Sequence, residues 1–158
     1  MITMQDSSQN HMFDTLRNFD GIERSKARRR LTDEDFTPSY WVNRMLDEYP
    51  ADCWNDIQNV FLDNSCGNGN ILAEIVIRKM QSGLTHEQAL KTIRGVEFEE
   101  DNVAECRERL LCGREDLRPI VEQNIVCADA LRYHYRFDGT DPYETEQDRH
   151  FSNLFDIA

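Results

Sequence analysis

The sequence predicts an α/β fold in which a parallel sheet is flanked by helices. Three short apolar segments, 60–63, 94–98 and 124–128, have the length of strands. Stretches of helical length separate them, and strands alternating with helices favour a parallel sheet covered by helices. The first strand runs into a tight turn, Cys66-Gly67-Asn68-Gly69, that opens directly into the next helix. Glycines there let backbone approach a ligand with no Cβ in the way.

Each element follows from local chemistry. Residues 1–30 are polar, contain Ser7-Ser8-Gln9-Asn10 and show little periodicity, so a mobile arm with one short helix around 12–19 is expected. After Pro38, the spacing of Tyr40, Trp41, Val42, Met45, Leu46 and Tyr49 gives an apolar helical face that Pro50 stops. Strand one is 60–63, and a helix over 70–81 ends at Gly83. Thr85-His86-Glu87-Gln88 is a capping-box start for a short helix running to 93. Strand two spans 94–98. A helix over 99–112 turns Val103, Cys106 and Leu110 inward, and Gly113 closes it. A weak helix over 116–123 is interrupted by Pro119, strand three is 124–128, and 133–149 reads as a polar loop. A fourth strand is expected at 154–157. The domain proper is expected to occupy 31–158, behind the arm.

Bulk properties narrow the function classes. At 158 residues the chain has the size of one domain and is long enough to bury a core. No apolar run approaches the ~20 residues that cross a bilayer, and no secretory signal is expected. Five cysteines at 53, 66, 106, 112 and 127 include no Cys-x-x-Cys. A disulfide framework or zinc site is therefore not expected, and reduced thiols in a cytoplasm are. The histidines at 11, 86, 134 and 150 show no metal spacing.

The net charge is −12, unevenly spread. Residues 1–30 hold six basic and four acidic side chains, whereas the remainder holds 12 and 26. Such an acidic surface opposes unaided DNA binding. The basic cluster Arg24-Ser25-Lys26-Ala27-Arg28-Arg29-Arg30 reads as a solvated linker or as a contact for phosphate or an acidic partner.

The tips of the strands carry the chemistry. Asp63 closes strand one, where a dinucleotide would bring its pyrophosphate against a like charge. S-adenosylmethionine has no phosphate and carries an ammonium and a sulfonium, so a carboxylate suits it. Strand two ends in Gly95-Val96-Glu97-Phe98, where an acidic side chain can accept from two ribose hydroxyls and an aromatic can stack on adenine. Strand three ends in Cys127-Ala128-Asp129-Ala130-Leu131. Asp129 can accept from an exocyclic amine or serve as a helix N-cap.

Together these motifs resemble the N6-adenine DNA methyltransferases. Asp35-Phe36-Thr37-Pro38, followed by Val42 and Met45-Leu46, resembles the Phe-Thr-Pro segment ahead of their cofactor domain. The segment from Phe61 to Leu72 is similar to their first cofactor motif, Gly95 to Phe98 to the second, and Cys127 to Leu131 to the third. The resemblance covers roughly 31–131 and the expected fourth strand. It implies a Rossmann-like methyltransferase fold, cut short at its C-terminal side, with S-adenosylmethionine as cofactor. Phe36 and Thr37 would meet the methionine end, and Asp63 would take its amino group beside Cys66, Gly67 and Gly69. Glu97 would hold the ribose, Phe98 the adenine ring, and Asp129, with Ala130 next to it, the adenine amine.

One family feature is missing. Family members continue from strand four into an Asn- or Asp-Pro-Pro-aromatic loop, which orients the conjugated amine of a flipped base. Prolines stand here only at 38, 50, 119 and 142, so no catalytic residue is assigned. Asp141-Pro142-Tyr143 lacks one proline and precedes the expected fourth strand. No target-recognition domain is expected either. The expectations are thus a cofactor-binding, methyltransferase-like domain without methyl transfer of its own, half of a split adenine methyltransferase, or an acidic module that inhibits a nucleic-acid-binding protein. An open sheet edge would suit a homodimer or a complementing chain.

Overall fold

In the computed structural model, which describes residues 4–18, 37–143 and 145–146, three strands form a parallel sheet in the order β1-β2-β3. They are β1 (Phe61–Asp63), β2 (Ile93–Glu97) and β3 (Ile125–Cys127). Leu62 stands opposite Arg94, and Val96 opposite Val126. Because side chains alternate along a strand, Leu62, Arg94, Val96 and Val126 share one face. Phe61, Ile93, Gly95 and Ile125 share the other.

Helices cover the second of these faces. Two helices, α3 (Asn70–Gln81) and α4 (His86–Lys91), lead from β1 to β2; α5 (Glu100–Leu111) and α6 (Arg118–Asn124) lead from β2 to β3. Both crossovers step in the same direction, and the right-handed rule for such connections puts their helices on one side. Leu72, Val76 and Ile77 from α3 pack there with Val103, Cys106 and Leu110 from α5, over Ile93 and Ile125. Gly95 makes the close approach feasible: a Cβ on it would lie 2.9 Å from both Cys66 Sγ and Leu72 Cδ1.

Local signals set most element ends. The expected capping box opens α4, with Gln88 N–H donating to Thr85 Oγ1 (3.2 Å) and Thr85 N–H to Gln88 Oε1 (2.9 Å). Pro119 does not interrupt a helix as expected. It lies in the first turn of α6, where a missing N–H costs nothing. Pro50 ends α2 (Ser39–Leu46) and precedes a 3-10 turn, Ala51–Trp54, whose Trp54 ring stacks on Phe61 at 5.2 Å.

The N-terminal residues depart from expectation. Met4–Arg17 forms one helix, α1, not a mobile arm with a short helix around 12–19. It packs on α3 and α5, burying Phe13 and Leu16 in the main core. Arg17 holds Glu74 of α3 through two bonds, of 3.0 and 3.1 Å.

The opposite face of the sheet is covered by the segment after β3. Tyr133 is buried there with Val96 and Ala128, and Val126, Phe137 and Tyr143 pack around them. The 133–143 stretch is therefore less polar in practice than its composition suggests. Over β1 this cover stops, and Leu62 is 53% exposed. The expected fourth strand at 154–157 lies outside the described residues, as does the basic cluster. Among the described residues no helix is long and apolar enough to cross a membrane.

Candidate cofactor site

Parallel strands deliver their C-terminal tips to one edge, the usual ligand edge of an open α/β sheet. Asp63 ends β1, Glu97 ends β2, and Asp129 follows β3. The turn after β1 is pinned across this edge: Cys66 N–H donates to Val96 O (3.0 Å), Gly69 N–H to Cys66 O (2.8 Å), and Ala73 N–H to Gly69 O (2.8 Å). Gly67 and Gly69 have φ of 52° and 85°, the left-handed region that favours glycine. At Gly69 a Cβ would also meet Cys106 Sγ at 2.8 Å.

The structure brings Glu97 and the glycine turn together. Glu97 Oε2 accepts from Gly67 N–H and Oε1 from Glu99 N–H, both at 2.9 Å. Asp63 is held by one oxygen only, with Oδ1 accepting from Ser65 N–H at 3.1 Å. Its Oδ2 is buried, and no donor among the described residues reaches it. Burial pushes the Asp63 carboxyl above its ordinary range; the Ser65 bond opposes this and the nearby Glu97 charge adds to it. Asn68 Oδ1, inside the turn, is a second buried acceptor that no donor reaches.

The remaining expected residues divide. Thr37 reaches the site, because its carbonyl accepts from Asn70 Nδ2 at the start of α3 (3.2 Å). Phe36 lies outside the described residues. Phe98, beside Glu97, is 36% exposed and has a face available to a ligand. Cys66 contributes backbone only. Its thiol is buried against the Cys106 thiol, to which it is hydrogen-bonded, and that bond together with burial raises it well above an ordinary thiol. Asp129 Oδ1 accepts from Leu131 N–H (2.9 Å) within a turn; no helix begins there, so the N-cap alternative is not realised. Its N–H donates to Tyr143 Oη (2.9 Å), and Ala130 O accepts from Tyr135 Oη (2.8 Å).

Four residues escaped the sequence reading. Asn68 and Asn70 flank Gly69 and were legible as polar turn residues, but not as a buried acceptor and a bridge. Arg109 reads as an ordinary helix cation, yet it is 5% exposed and donates to Leu16 O, Asn68 O and Asn70 Oδ1. Tyr143 belongs to the Asp-Pro-Tyr segment, and it lands at the tip of β3 instead of beyond a fourth strand.

These residues suit a cationic group and disfavour a phosphate. Two acidic tips, a buried carboxylate oxygen and a buried amide oxygen would repel a pyrophosphate and receive an ammonium. Comparison of the chain with protein-family models, with curated proteins and with solved structures finds no match. Among the described residues no group of three or more His, Cys, Asp or Glu is placed to hold a metal ion.

Proposed function

We propose that this chain is an S-adenosylmethionine-binding domain with a Rossmann-like methyltransferase fold, related in kind to adenine-specific DNA methyltransferases. The observation that carries the reading is Asp63 Oδ2 beside the glycine turn, a buried carboxyl oxygen that no donor among the described residues reaches. A cofactor ammonium supplies the missing donor and charge at once. Glu97, already oriented by Gly67 and Glu99, has lone pairs left for ribose hydroxyls, and Phe98 offers a ring for adenine. Asp129 serves the adenine amine through the oxygen that Leu131 does not occupy.

When bound, the cofactor would supply an electrophilic methyl group. The 158 residues contain no Pro-Pro-aromatic segment, so the proposal is for binding, not for methyl transfer by these residues. Titration calorimetry with S-adenosylmethionine, and with NAD as a phosphate-bearing control, tests it. Micromolar binding of the first alone is expected, lost in Asp63→Asn. No heat and no thermal shift at millimolar cofactor would remove the reading.

A second reading, half of a split adenine methyltransferase, has one supporting observation. Among the described residues β1 pairs only with β2, and Leu62 and Val60 stand half-exposed beside its other edge. Such an edge accepts a strand from a second copy or a complementing chain. Leu62→Lys should then abolish association seen by ultracentrifugation and any methylation that needs a partner. Unchanged association in that variant would contradict it.

A further inference from the structure

We propose that Asn70 is a positioning residue for the methionine end of the cofactor, acting through Thr37. The inference rests on the binding reading above. Asn70 is the first residue of α3, and its side chain splits its two ends between different parts of the fold. Oδ1 accepts from Arg109 Nη1 at 2.5 Å, and Nδ2 donates to Thr37 O at 3.2 Å, 33 residues away in sequence.

The direction of this bridge is fixed by chemistry. A guanidinium only donates and a carbonyl only accepts, so the amide has one orientation that satisfies both. Arg109 cannot easily turn aside. It is 5% exposed, and it also donates through Nε to Leu16 O (2.6 Å) and through Nη2 to Arg17 O (3.3 Å) at the end of α1, and through Nη1 to Asn68 O (3.5 Å) in the glycine turn. A buried cation thereby sets one amide, and that amide sets a backbone carbonyl.

Thr37 needs such a hold. It lies before α2, outside any helix or strand, and Pro38 after it has no N–H to donate. Through Asn70, Thr37 is kept at the glycine turn, beside the end of the site where Asp63 and Asn68 present their unmatched oxygens. Neither bond of the Asn70 bridge is made to Glu97, Phe98 or Asp129. Asn70 should therefore govern the amino-acid part of the ligand and leave the nucleoside part alone.

Two ligands separate these ends: S-adenosylmethionine, and methylthioadenosine, which lacks the amino-acid chain. Asn70→Ala changes no charge and removes both bonds of the bridge. It is expected to weaken S-adenosylmethionine about five- to tenfold, the scale of one lost hydrogen bond, with methylthioadenosine within about twofold of wild type. Equal weakening of both ligands, or no weakening of either, overturns the inference and leaves the binding reading standing. Failure of the wild-type protein to bind either ligand removes both. If Asn70→Ala melts too low to titrate, Asn70→Asp keeps the acceptor that Arg109 requires. Its added charge favours the cationic ligand, so selective weakening there supports positioning, and equal or tighter binding overturns it.

Discussion

Asp63 is costly to the fold as it stands. Its Oδ2 is sealed from solvent without a donor, and its carboxyl is pushed up by burial. A raised carboxyl means that the folded chain holds the proton more tightly than the unfolded chain does. Its contribution to stability is therefore greatest below the ordinary carboxylate range, and it is lost as pH rises through the raised value. Asp63→Asn should stabilise the protein by about 1 kcal/mol at neutral pH, a gain that vanishes towards about pH 3 in denaturant titrations. A cationic ligand needs this group ionised, so binding at a pH where the raised carboxyl still holds its proton should release protons, fewer as pH rises; calorimetry in buffers of different ionisation enthalpy reads this directly. Gly69 is fixed by a different constraint. Gly69→Ala should cost about 2 kcal/mol from its φ of 85° and the contact with Cys106 Sγ. Adding Cys106→Ala should recover only the steric part, measured as a thermal double-mutant cycle. Glycine and carboxylate were both legible in the sequence, because turn chemistry is local. The orphaned oxygen was not, because burial is decided by tertiary packing.

Among the elements, α1 shows where sequence pattern stops informing. Ser7-Ser8-Gln9-Asn10 gives no apolar stripe, and the helix buries Phe13 and Leu16 in the core. What holds the helix is tertiary: the Arg17–Glu74 pair, and Arg109, which donates to the last carbonyls, Leu16 O and Arg17 O. Cations at a helix C-terminus satisfy carbonyls that have no partner within the helix. Arg109→Met should therefore cost about 3 kcal/mol, the scale for removing one side of a buried charged network. Hydrogen exchange should show α1 losing protection before α3 or α5. Uniform loss across all three helices would mean that α1 is held by its apolar contacts alone. The start of α4 and the end of α3 were readable from residues alone, through the capping box and Gly83, whereas the end of α4 was not: it stops at Lys91, and Ile93, expected in the helix, opens β2.

For the molecule as a whole, the strand-helix alternation predicted a parallel sheet correctly, since period and punctuation are carried in the chain. The covering of its two faces was not legible. One face is packed by crossover helices with regular spacing, whereas the other relies on an irregular segment whose aromatic residues sit among charges in sequence. Tyr133 is the centre of that cover: it is 7% exposed, its ring lies 5.2 Å from Tyr135 and 5.3 Å from Phe137, and its hydroxyl accepts from Phe137 N–H at 2.6 Å. The same segment carries Tyr143 to the N–H of Asp129, at the ligand edge. Stability and the tip of β3 are thus joined through one aromatic cluster. Tyr133→Ala should cost about 3 kcal/mol from lost burial and ring contacts, and Tyr133→Phe about 1 kcal/mol from the hydroxyl alone. Exchange protection should fall first over 128–143, with the α3 and α5 face unchanged. If Tyr133→Ala unfolds in step with the whole domain, the two faces form a single cooperative unit; if the variant loses less than about 1 kcal/mol, the aromatic cover over Val96 contributes little to stability.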